Sequence, residues 1–420
     1  MGFNKIRVYS FRVSGALNDT MWRVLMKERR KLFTGFMLLL FLLFGASCAS
    51  SEASETPIPT AAEPTATIPP TAVPTAVRPR QLGDIRVWTS WEEDKLEVLN
   101  EYLLVYQEMY PDITISLSYY PEDELLPAFQ KSYQDGTAPT ILIGPSEYGP
   151  RLMSQDMVLD ITERLPESYQ ENLYPYLWSQ VQYDEKIIGL PLEQKGYVLI
   201  RNRQLVPERA ATVEELAAAS FEASDGLVIG AALDLGFPFT SSQLPVCDAV
   251  LTDAYFQPAF NTEQGECWME MLARLSRIGR TSFNDDEDLE LFLEERSGWL
   301  IDGSWKIDQA VDVIGETWVS VDFWPVYDEA GKRLAGYVWT ENAYLVSAHS
   351  VEDTELSWAF LAYLSSEDSQ SEITGQLGTR QIPVLETVPL DDLLLRQTVF
   401  VLERGVPLPV QVNLDVYAEA

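Results

Sequence analysis

Hydrophobic positions near residue 85 change from a short strand pattern to a helical one. The strand is predicted at Ile85–Trp88, and apolar side chains then recur at positions 96, 99, 103, 106 and 110, the spacing of one helix face. Ser90 and Glu93 have the spacing of a capping box, which predicts that the helix begins at Ser90. Pro111 predicts where it ends.

Alternating apolar and polar residues predict the next strand at Ile113–Tyr119. A helix is predicted at Leu125–Tyr133, a turn at Asp135-Gly136 and a short apolar strand at Ile141–Ile143. The resulting order, β-α-β-α-β, is typical of an α/β fold with a largely parallel sheet.

The second half of the chain mixes both periodicities. A hairpin turn is predicted at Asp184–Lys186, and Thr212 with Glu215 predicts a capped helix start. Further helices are predicted at 249–256, 267–278, 289–295 and 356–364, and further strands at 187–190, 298–301, 318–324 and 337–346.

Composition limits the classes of function. The chain has 420 residues, more than the roughly 250–300 that one core accommodates, so two lobes are expected. Its net charge of −34 would repel phosphate backbones, which argues against a nucleic-acid partner. The single histidine, His349, cannot build a multi-histidine metal site and is predicted to be a solvated turn residue. We predict no catalytic residues, metal or cofactor.

Residues 1–47 are predicted to form an N-terminal extension and a lipoprotein signal peptide. Basic residues at 27–31 precede a nearly apolar run at 32–45, too short for a spanning helix of ~20 residues. Small residues then lead into Cys48, which resembles the lipobox of bacterial lipoproteins and implies that Cys48 is lipidated. A plain signal peptide and a membrane anchor are the alternatives.

Residues 48–83 are predicted to combine the lipidated cysteine with a tether. The segment 51–80 contains seven Pro and six Thr and has no aromatic residue, so it cannot bury enough apolar surface to fold. It would hold the folded body away from the membrane.

Short motifs follow in a characteristic order between residues 84 and 390. They are Trp88-Thr89-Ser90-Trp91, Tyr106 with Tyr110-Pro111 and Ile113, Asp135 to Thr140, Gly189-Leu190-Pro191-Leu192, Ile200-Arg201-Asn202, Ala211 to Leu216, Ile301-Asp302-Gly303-Ser304-Trp305 and Trp358 to Leu364. Together they resemble family 1 of the extracellular solute-binding proteins, the group that includes maltose-binding protein. Thr140 stands where that family usually has Asp.

The resemblance implies an α/β, two-lobed, type II periplasmic-binding-protein fold. Its lobes are joined by crossing segments and hinge closed on a ligand in the cleft. The implied boundaries are residues 84–195 for the first part of lobe 1, 196–297 for the first part of lobe 2, 298–345 for the return to lobe 1 and crossover, and 346–420 for the completion of lobe 2 and the C-terminal tail.

Aromatic and polar side chains follow several predicted strands, where the resemblance also places ligand contacts. Trp and Tyr suit the apolar faces of a sugar ring, and Asp, Glu and Asn suit its hydroxyls. The candidate ligand-binding residues are Trp91, Ser146, Glu147, Tyr148, Glu193, Tyr197, Trp305, Trp339, Glu341 and Asn342. Trp305 and Trp339 are expected to stack on the ligand. Ordinary core or rim packing is the alternative for each.

The resemblance implies a monomeric binding protein that is not an enzyme and that delivers a small ligand, expected to be a sugar, to the permease subunits of an ABC importer. An exported glycoside hydrolase with a carboxylate pair and a ligand-sensing receptor module are the alternatives. Cys247 and Cys267 lie in an exported chain, where disulfides persist, so they are expected either to bond or to remain two buried thiols.

Overall fold

The computed structural model describes residues 82–222, 229–253, 257–282, 287–375 and 380–410. The predicted signal peptide, Cys48 and the tether lie outside these residues. Within the described ranges, no helix has the length and apolar character needed to cross a membrane.

The first part of the chain forms a parallel sheet with two connecting helices. Strand β1 (Gly83–Thr89) lies between β2 (Ile113–Tyr119) and β3 (Ile141–Pro145) and pairs parallel to both. Helix α1 (Glu93–Met109) connects β1 to β2, and α2 (Glu122–Gln134) connects β2 to β3. These elements confirm the predicted β-α-β-α-β order.

Helix α1 begins later than predicted. Its N-cap is Glu92, which makes no capping hydrogen bond with its side chain, so the predicted capping box is wrong. The backbone N–H of Trp91 instead donates to Thr89 Oγ1 at 3.1 Å, which keeps the chain in a turn after β1. The apolar stripe is confirmed, since Leu99 and Leu103 are buried.

Two long strands cross the molecule. Strand β6 (Leu190–Asn202) pairs antiparallel with β11 (Tyr337–Leu345) through its first half, and β11 pairs antiparallel with β3. From Tyr197 onward β6 pairs instead with β9 (Ser297–Gly303). The sheet of the first lobe is thus joined to a second set of strands.

The second set of strands continues from β9. It contains β7 (Ile229–Asp234) and β8 (Gly279–Ser282), which are parallel to each other, while β10 (Val319–Asp322) pairs with β6. The strand order is β2-β1-β3-β11-β6-β9-β7-β8. A separate hairpin is formed by β4 (Gln182–Tyr183) and β5 (Lys186–Ile187), as the turn at 184–186 predicts, and β12 (Val406–Pro407) pairs with β11.

The remaining helices cover the two groups of strands. They are α3 (Tyr148–Ser154), α4 (Glu167–Asn172), α5 (Val213–Glu222), α6 (Phe237–Ser242), α7 (Glu263–Leu275), α8 (Glu287–Leu293), α9 (Ile307–Ile314), α10 (Val351–Leu364), α11 (Glu367–Gly375) and α12 (Leu393–Leu402). The predicted cap of α5 is confirmed, because the N–H of Glu215 donates to Thr212 Oγ1 at 3.2 Å. The helix predicted at 249–256 is wrong over 249–253, where Thr252 forms a bridge with Pro258.

Two of the predicted lobe segments contain elements that contact both groups of strands. Segment 298–345 contains β9 and β10 as well as β11, so it returns to the first lobe only at β11. Segment 346–420 does not simply complete the second lobe, because α10 packs against β1 and the N–H of Asp84 donates to Asp353 Oδ1 at 3.0 Å. Periodicity identified these elements, but it carries no information on which sheet they cover.

Cys247 and Cys267 are joined by a disulfide, with their Cα atoms 5.9 Å apart. Cys247 ends a short 3-10 helix and Cys267 lies in the first half of α7. Thr262 caps α7 by accepting a hydrogen bond from the N–H of Gly265 at 3.2 Å. The bond therefore ties this helix to the segment that precedes residue 249.

Candidate functional site

Three aromatic side chains meet where the crossing strands pass between the lobes. Trp305 follows β9, and its ring centroid lies 5.5 Å from that of Trp339 and 5.9 Å from that of Tyr197. Tyr197 is buried and Trp339 half-buried, whereas Trp305 is 40% exposed. The cluster thus has a packed base and an accessible indole face.

The sequence Gly303-Ser304-Trp305 explains the position of the exposed indole. Gly303 ends β9, and a short 3-10 helix begins at Ser304. A Cβ atom at Gly303 would overlap the Trp305 ring, so only glycine lets this ring fold back over the strand end.

Two carboxylates and two lysines form a charged group beside the aromatic cluster. Glu193 of β6 lies opposite Glu341 of β11 in the strand register. The Lys195 ammonium donates to Glu341 Oε1 at 2.8 Å, and Lys95 of α1 donates to Glu193 Oε1. Both carboxylates are buried, at 2% exposure each.

Each of these carboxylates has an oxygen without a donor. Glu193 Oε2 and Glu341 Oε2 are buried and make no hydrogen bond. Such an atom costs free energy in the folded state because it has lost its water without gaining a partner. A ligand hydroxyl or ammonium that reached either oxygen would remove that cost.

Burial and charge act together on the ionisation of this group. Burial raises the pKa of the Glu341 carboxyl, and the neighbouring Lys195 only partly opposes the effect. Burial alone would lower the pKa of Lys195, but the carboxylates of Glu341 and Glu193 outweigh it and the pKa is raised. Lys195 is therefore a fixed ammonium at neutral pH.

A cavity opens between these groups. Its lining comes from α1, β6, the segment after β9, α9, the chain around residue 380 and α12. The lining residues are Lys95, Glu193, Lys195, Ser304, Trp305, Ile307, Asp308, Arg380, Ile382, Leu394, Leu395 and Thr398.

Arg380 closes one side of the cavity. Its NH1 group donates to Asp308 Oδ1 at 2.6 Å and its Nε to Asp392 Oδ2 at 3.2 Å, while Glu316 lies 3.5 Å away. Its backbone has a positive φ of 44°. The guanidinium thus connects the start of α9 to the N-cap of α12.

Two predicted ligand residues are instead buried and hydrogen-bonded to another part of the chain. Ser146 Oγ donates to Gln180 Oε1 at 2.8 Å, and Asn342 Nδ2 donates to the carbonyl oxygen of Gln180 at 2.9 Å. Exposure is 1% for Ser146 and 0% for Asn342. Their hydrogen bonds hold β3 and β11 to the segment around Gln180.

The other predicted residues lie outside the cavity lining. Trp91 is 5% exposed and belongs to the hydrophobic core, and Tyr148 is 7% exposed with its hydroxyl donating to the carbonyl of Glu122 at 3.0 Å. Glu147 is exposed at the N-cap of α3. Of the ten candidates, Glu193 and Trp305 line the cavity, and Tyr197, Trp339 and Glu341 contact those two or Lys195.

Sequence reasoning missed three cations, Lys95, Lys195 and Arg380. A signal existed for Lys195, because Glu193 and Lys195 alternate along a strand that is otherwise mostly apolar. Lys95 lies in the polar part of a helix pattern and Arg380 in an irregular segment, so local sequence distinguishes neither. Among the residues described, no group of three or more His, Cys, Asp or Glu side chains could hold a metal ion.

His349 is not the solvated turn residue that we predicted. Its ring is half-buried, with Nε2 2.6 Å from the carbonyl oxygen of Pro139 and Nδ1 3.4 Å from the Arg86 guanidinium. The turn after β11 packs against the loop that precedes β3, which the local sequence of His349 does not reveal.

Comparison with known proteins identifies relatives that share this architecture. The sequence profile of the bacterial extracellular solute-binding proteins matches residues 102–396. The maltose/maltodextrin-binding domain MalE of Bdellovibrio bacteriovorus, solved with maltotriose, is 21% identical with a TM-score of 0.65, and the match covers 80% of this chain and 91% of that one.

Two further solved structures have the same fold at similarly low identity. The GacH receptor of Streptomyces glaucescens is 16% identical with a TM-score of 0.67, covering 80% of this chain and 90% of that one. An ABC transporter solute-binding protein of Thermotoga lettingae, bound with tagatose, is 18% identical with a TM-score of 0.65, covering 80% and 92%. The predicted two-lobed α/β fold is confirmed. Because the profile spans well over half of its length, the chain belongs to the bacterial extracellular solute-binding proteins.

Proposed function

We propose that this protein captures a sugar in the cleft between its lobes. The observation that carries the proposal is the accessible indole of Trp305 beside the buried carboxylate oxygens of Glu193 and Glu341 that accept no hydrogen bond. An indole face can stack on the C–H face of a sugar ring, and carboxylate oxygens without a donor can accept hydrogen bonds from its hydroxyl groups. Trp339 and Tyr197 would support Trp305 from below.

The structural relatives support the same ligand class. These relatives were solved in complex with maltotriose, acarbose and tagatose, all of which are carbohydrates or carbohydrate analogues.

The protein would work outside the cytoplasmic membrane. Membership of an extracellular family supports export. We infer that Cys48 carries the lipid anchor, that residues 48–83 tether the body, and that the loaded monomer delivers its sugar to the permease subunits of an ABC importer. Cys48→Ser should release the protein from membranes or block its processing. Unchanged membrane association and mass would contradict the anchor.

A thermal-shift screen of sugars, polyols and polyamines tests the ligand class. A ligand at 100 times its Kd should stabilise the folded state by about 2.7 kcal/mol, so a true ligand gives a clear shift. Stabilisation by polyamines and by no sugar would contradict the proposal. Hydrolysis of aryl glycosides by the purified protein would instead favour a glycosidase with a carboxylate pair.

Substitution of the aromatic cluster tests the location of the site. Trp305→Ala and Trp339→Ala should each weaken sugar binding about tenfold or more, because a stacked indole contributes on the order of 1–3 kcal/mol. Trp318→Ala is the matched control, since Trp318 is 45% exposed and does not line the cavity. Calorimetric titration of folded variants gives the affinities. Affinity within about twofold of wild type in both cluster variants would contradict the site.

A further inference from the structure

A second cavity shares no lining residue with the cleft cavity. It lies between the segment that follows β10, the chain before β11 and the last turn of α12. Phe323 and Trp324 come from the first of these, Arg333 from the second, and Phe400 and Arg404 from the third.

Two phenylalanines form an accessible aromatic wall of this cavity. Phe323 and Phe400 meet edge to face with ring centroids 4.8 Å apart. They are nevertheless 40% and 39% exposed. Large apolar side chains grouped at a concave surface are typical of a binding site, because soluble monomers rarely leave such groups exposed to water.

Three arginines surround these rings. The guanidinium carbon of Arg404 lies 3.5 Å from the Phe400 ring centroid, and that of Arg209 lies 5.3 Å from the Phe323 ring centroid. Arg333 donates to the carbonyl oxygen of Trp324 at 3.1 Å. Arg333 and Arg404 line the cavity, whereas Arg209 packs against the Phe323 ring, and each guanidinium carries five N–H donors.

The positive charge of this group is largely uncompensated. Arg404 has a carboxylate neighbour, Glu403, at 3.4 Å. Within the described part of the chain, no carboxylate lies within salt-bridge distance of Arg209 or Arg333. In a chain with a net charge of −34, such a cluster makes a local positive potential that favours an anion.

The indole of Trp324 forms part of the cavity wall. Trp324 lines the cavity and is 4% exposed, yet its Nε1 atom is buried without a hydrogen-bond partner. Buried indole N–H groups normally find an acceptor, because an unpaired buried donor costs free energy.

We propose that this cavity binds a small organic anion with a flat apolar body, of the aromatic carboxylate class. The carboxylate accepts hydrogen bonds from the guanidinium groups, in the paired geometry that arginine favours. The body packs against Phe323 and Phe400. The site is separate from the sugar cleft and does not depend on what the cleft binds.

Naphthoate is the probe, and naphthalenemethanol is the matched neutral compound with the same ring system. Calorimetric titration should show one naphthoate bound with a Kd of about 1 mM or tighter, the affinity expected of a small aromatic anion. Naphthalenemethanol should bind at least about fivefold more weakly, because it lacks the charge that the arginines recognise.

Variants locate the bound probe. Arg333→Gln and Phe400→Ala should each weaken naphthoate binding at least about fivefold. Arg296→Gln, which removes an exposed arginine that contacts Glu294 elsewhere, should leave the affinity unchanged. Trp305→Ala should also leave it unchanged, which distinguishes this cavity from the cleft. Circular dichroism confirms that each variant is folded.

Three results would each overturn the proposal. They are the absence of binding at millimolar naphthoate, equal binding of the neutral alcohol, and an affinity that responds to Trp305→Ala but not to Arg333→Gln or Phe400→Ala. Loss of binding in Arg296→Gln as well would show only a general effect of charge, which also contradicts a built site.

Discussion

Strand β6 carries a buried charged site in each half, and the two sites differ in how fully their polar atoms are bonded. In the second half, Arg201 donates to both oxygens of Asp322, at 2.6 and 3.2 Å. Its NH1 group donates to the carbonyl oxygens of Val206 and Pro207, and Trp299 Nε1 donates to Asp322 at 3.1 Å. Each charged group there is enclosed by protein donors and acceptors.

The first half of β6 has similar burial with fewer bonds. Glu193 and Glu341 each have one oxygen bonded to a lysine and one oxygen without a donor. A cavity opens beside this site, whereas the Arg201–Asp322 pair lies within the fold. This difference supports the proposal that Arg201 and Asp322 have a structural role and that the site of Glu193 and Glu341 binds the ligand.

The largest expected effect comes from breaking the completed site. Asp322→Asn should lower the free energy of unfolding by roughly 3–5 kcal/mol, because Arg201 would remain buried without a compensating charge. Urea unfolding gives the value. Asp312→Asn, an exposed acid on α9, should change stability by less than about 0.5 kcal/mol. Weakened sugar binding in the folded Asp322→Asn protein would contradict a purely structural role.

Loss of the disulfide, like loss of the Arg201–Asp322 pair, is expected to lower stability without changing ligand binding. Replacing Cys247 and Cys267 by serine should lower the free energy of unfolding by roughly 3 kcal/mol in the chain-entropy model and leave ligand affinity unchanged. In a Cys48→Ser background, thiol titration in denaturant without reductant should find no free thiol. Two free thiols would contradict the bond.

At the site of Glu193 and Glu341, a substitution should affect ligand binding more than it affects stability. Glu341→Gln should weaken ligand binding about tenfold or more, because a hydrogen bond to a charged group contributes roughly 1.5–3 kcal/mol, while stability changes by less than that. Gln retains an acceptor for Lys195. Calorimetric titration and urea unfolding on the same sample separate the two effects. A large loss of stability with unchanged affinity would place Glu341 with the structural pair.

Glu341 also predicts a direction for the pH dependence of stability. Its pKa is raised in the folded state, so the folded protein holds this proton more tightly than the unfolded chain. The carboxyl therefore costs stability as pH rises above its unfolded pKa of about 4.3, and Glu341→Gln should remove that cost.

The smallest effect concerns His349, which lies away from both charged sites on β6. Burial, with a contribution from Arg86, lowers the pKa of His349, so the unfolded chain binds its proton more readily. Stability from this group is present above pH of about 6.5 and is lost as pH falls through the folded pKa. His349→Gln should flatten the pH dependence of urea unfolding in that window, by at most about 1.4 kcal/mol per pH unit. An unchanged slope would contradict this account.

Sequence reasoning found most elements of the fold. Helix α1 and strands β1, β2 and β3 follow from periodicity, because their apolar faces pack on neighbours close in the chain. The start of α1 was wrong, since the capping box competes with a bond between Trp91 and Thr89. Periodicity does not reveal which sheet α10 covers, because that depends on contacts with β1, about 270 positions away in the chain.

The candidate site was predictable only in part. Trp305 could be found because glycine and serine precede it at a strand end, and Glu193 because it follows a turn-like Gly-Leu-Pro segment. Ser146 and Asn342 have the same type of position, yet Gln180 satisfies both. Whether a polar side chain remains available depends on its partners, which lie far apart in the sequence.

The amino-acid sequence by itself determined the α/β class, the order of most strands and helices and the family resemblance, because these depend on local periodicity and short motifs. Only the tertiary structure decided which buried charged groups have all of their hydrogen bonds formed. Lys95 reaches Glu193 across 98 positions, Lys195 reaches Glu341 across 146, and Arg201 reaches Asp322 across 121. The free energy of a buried charge depends on the donors and acceptors that surround it, and β6 brings those partners together from distant parts of the chain.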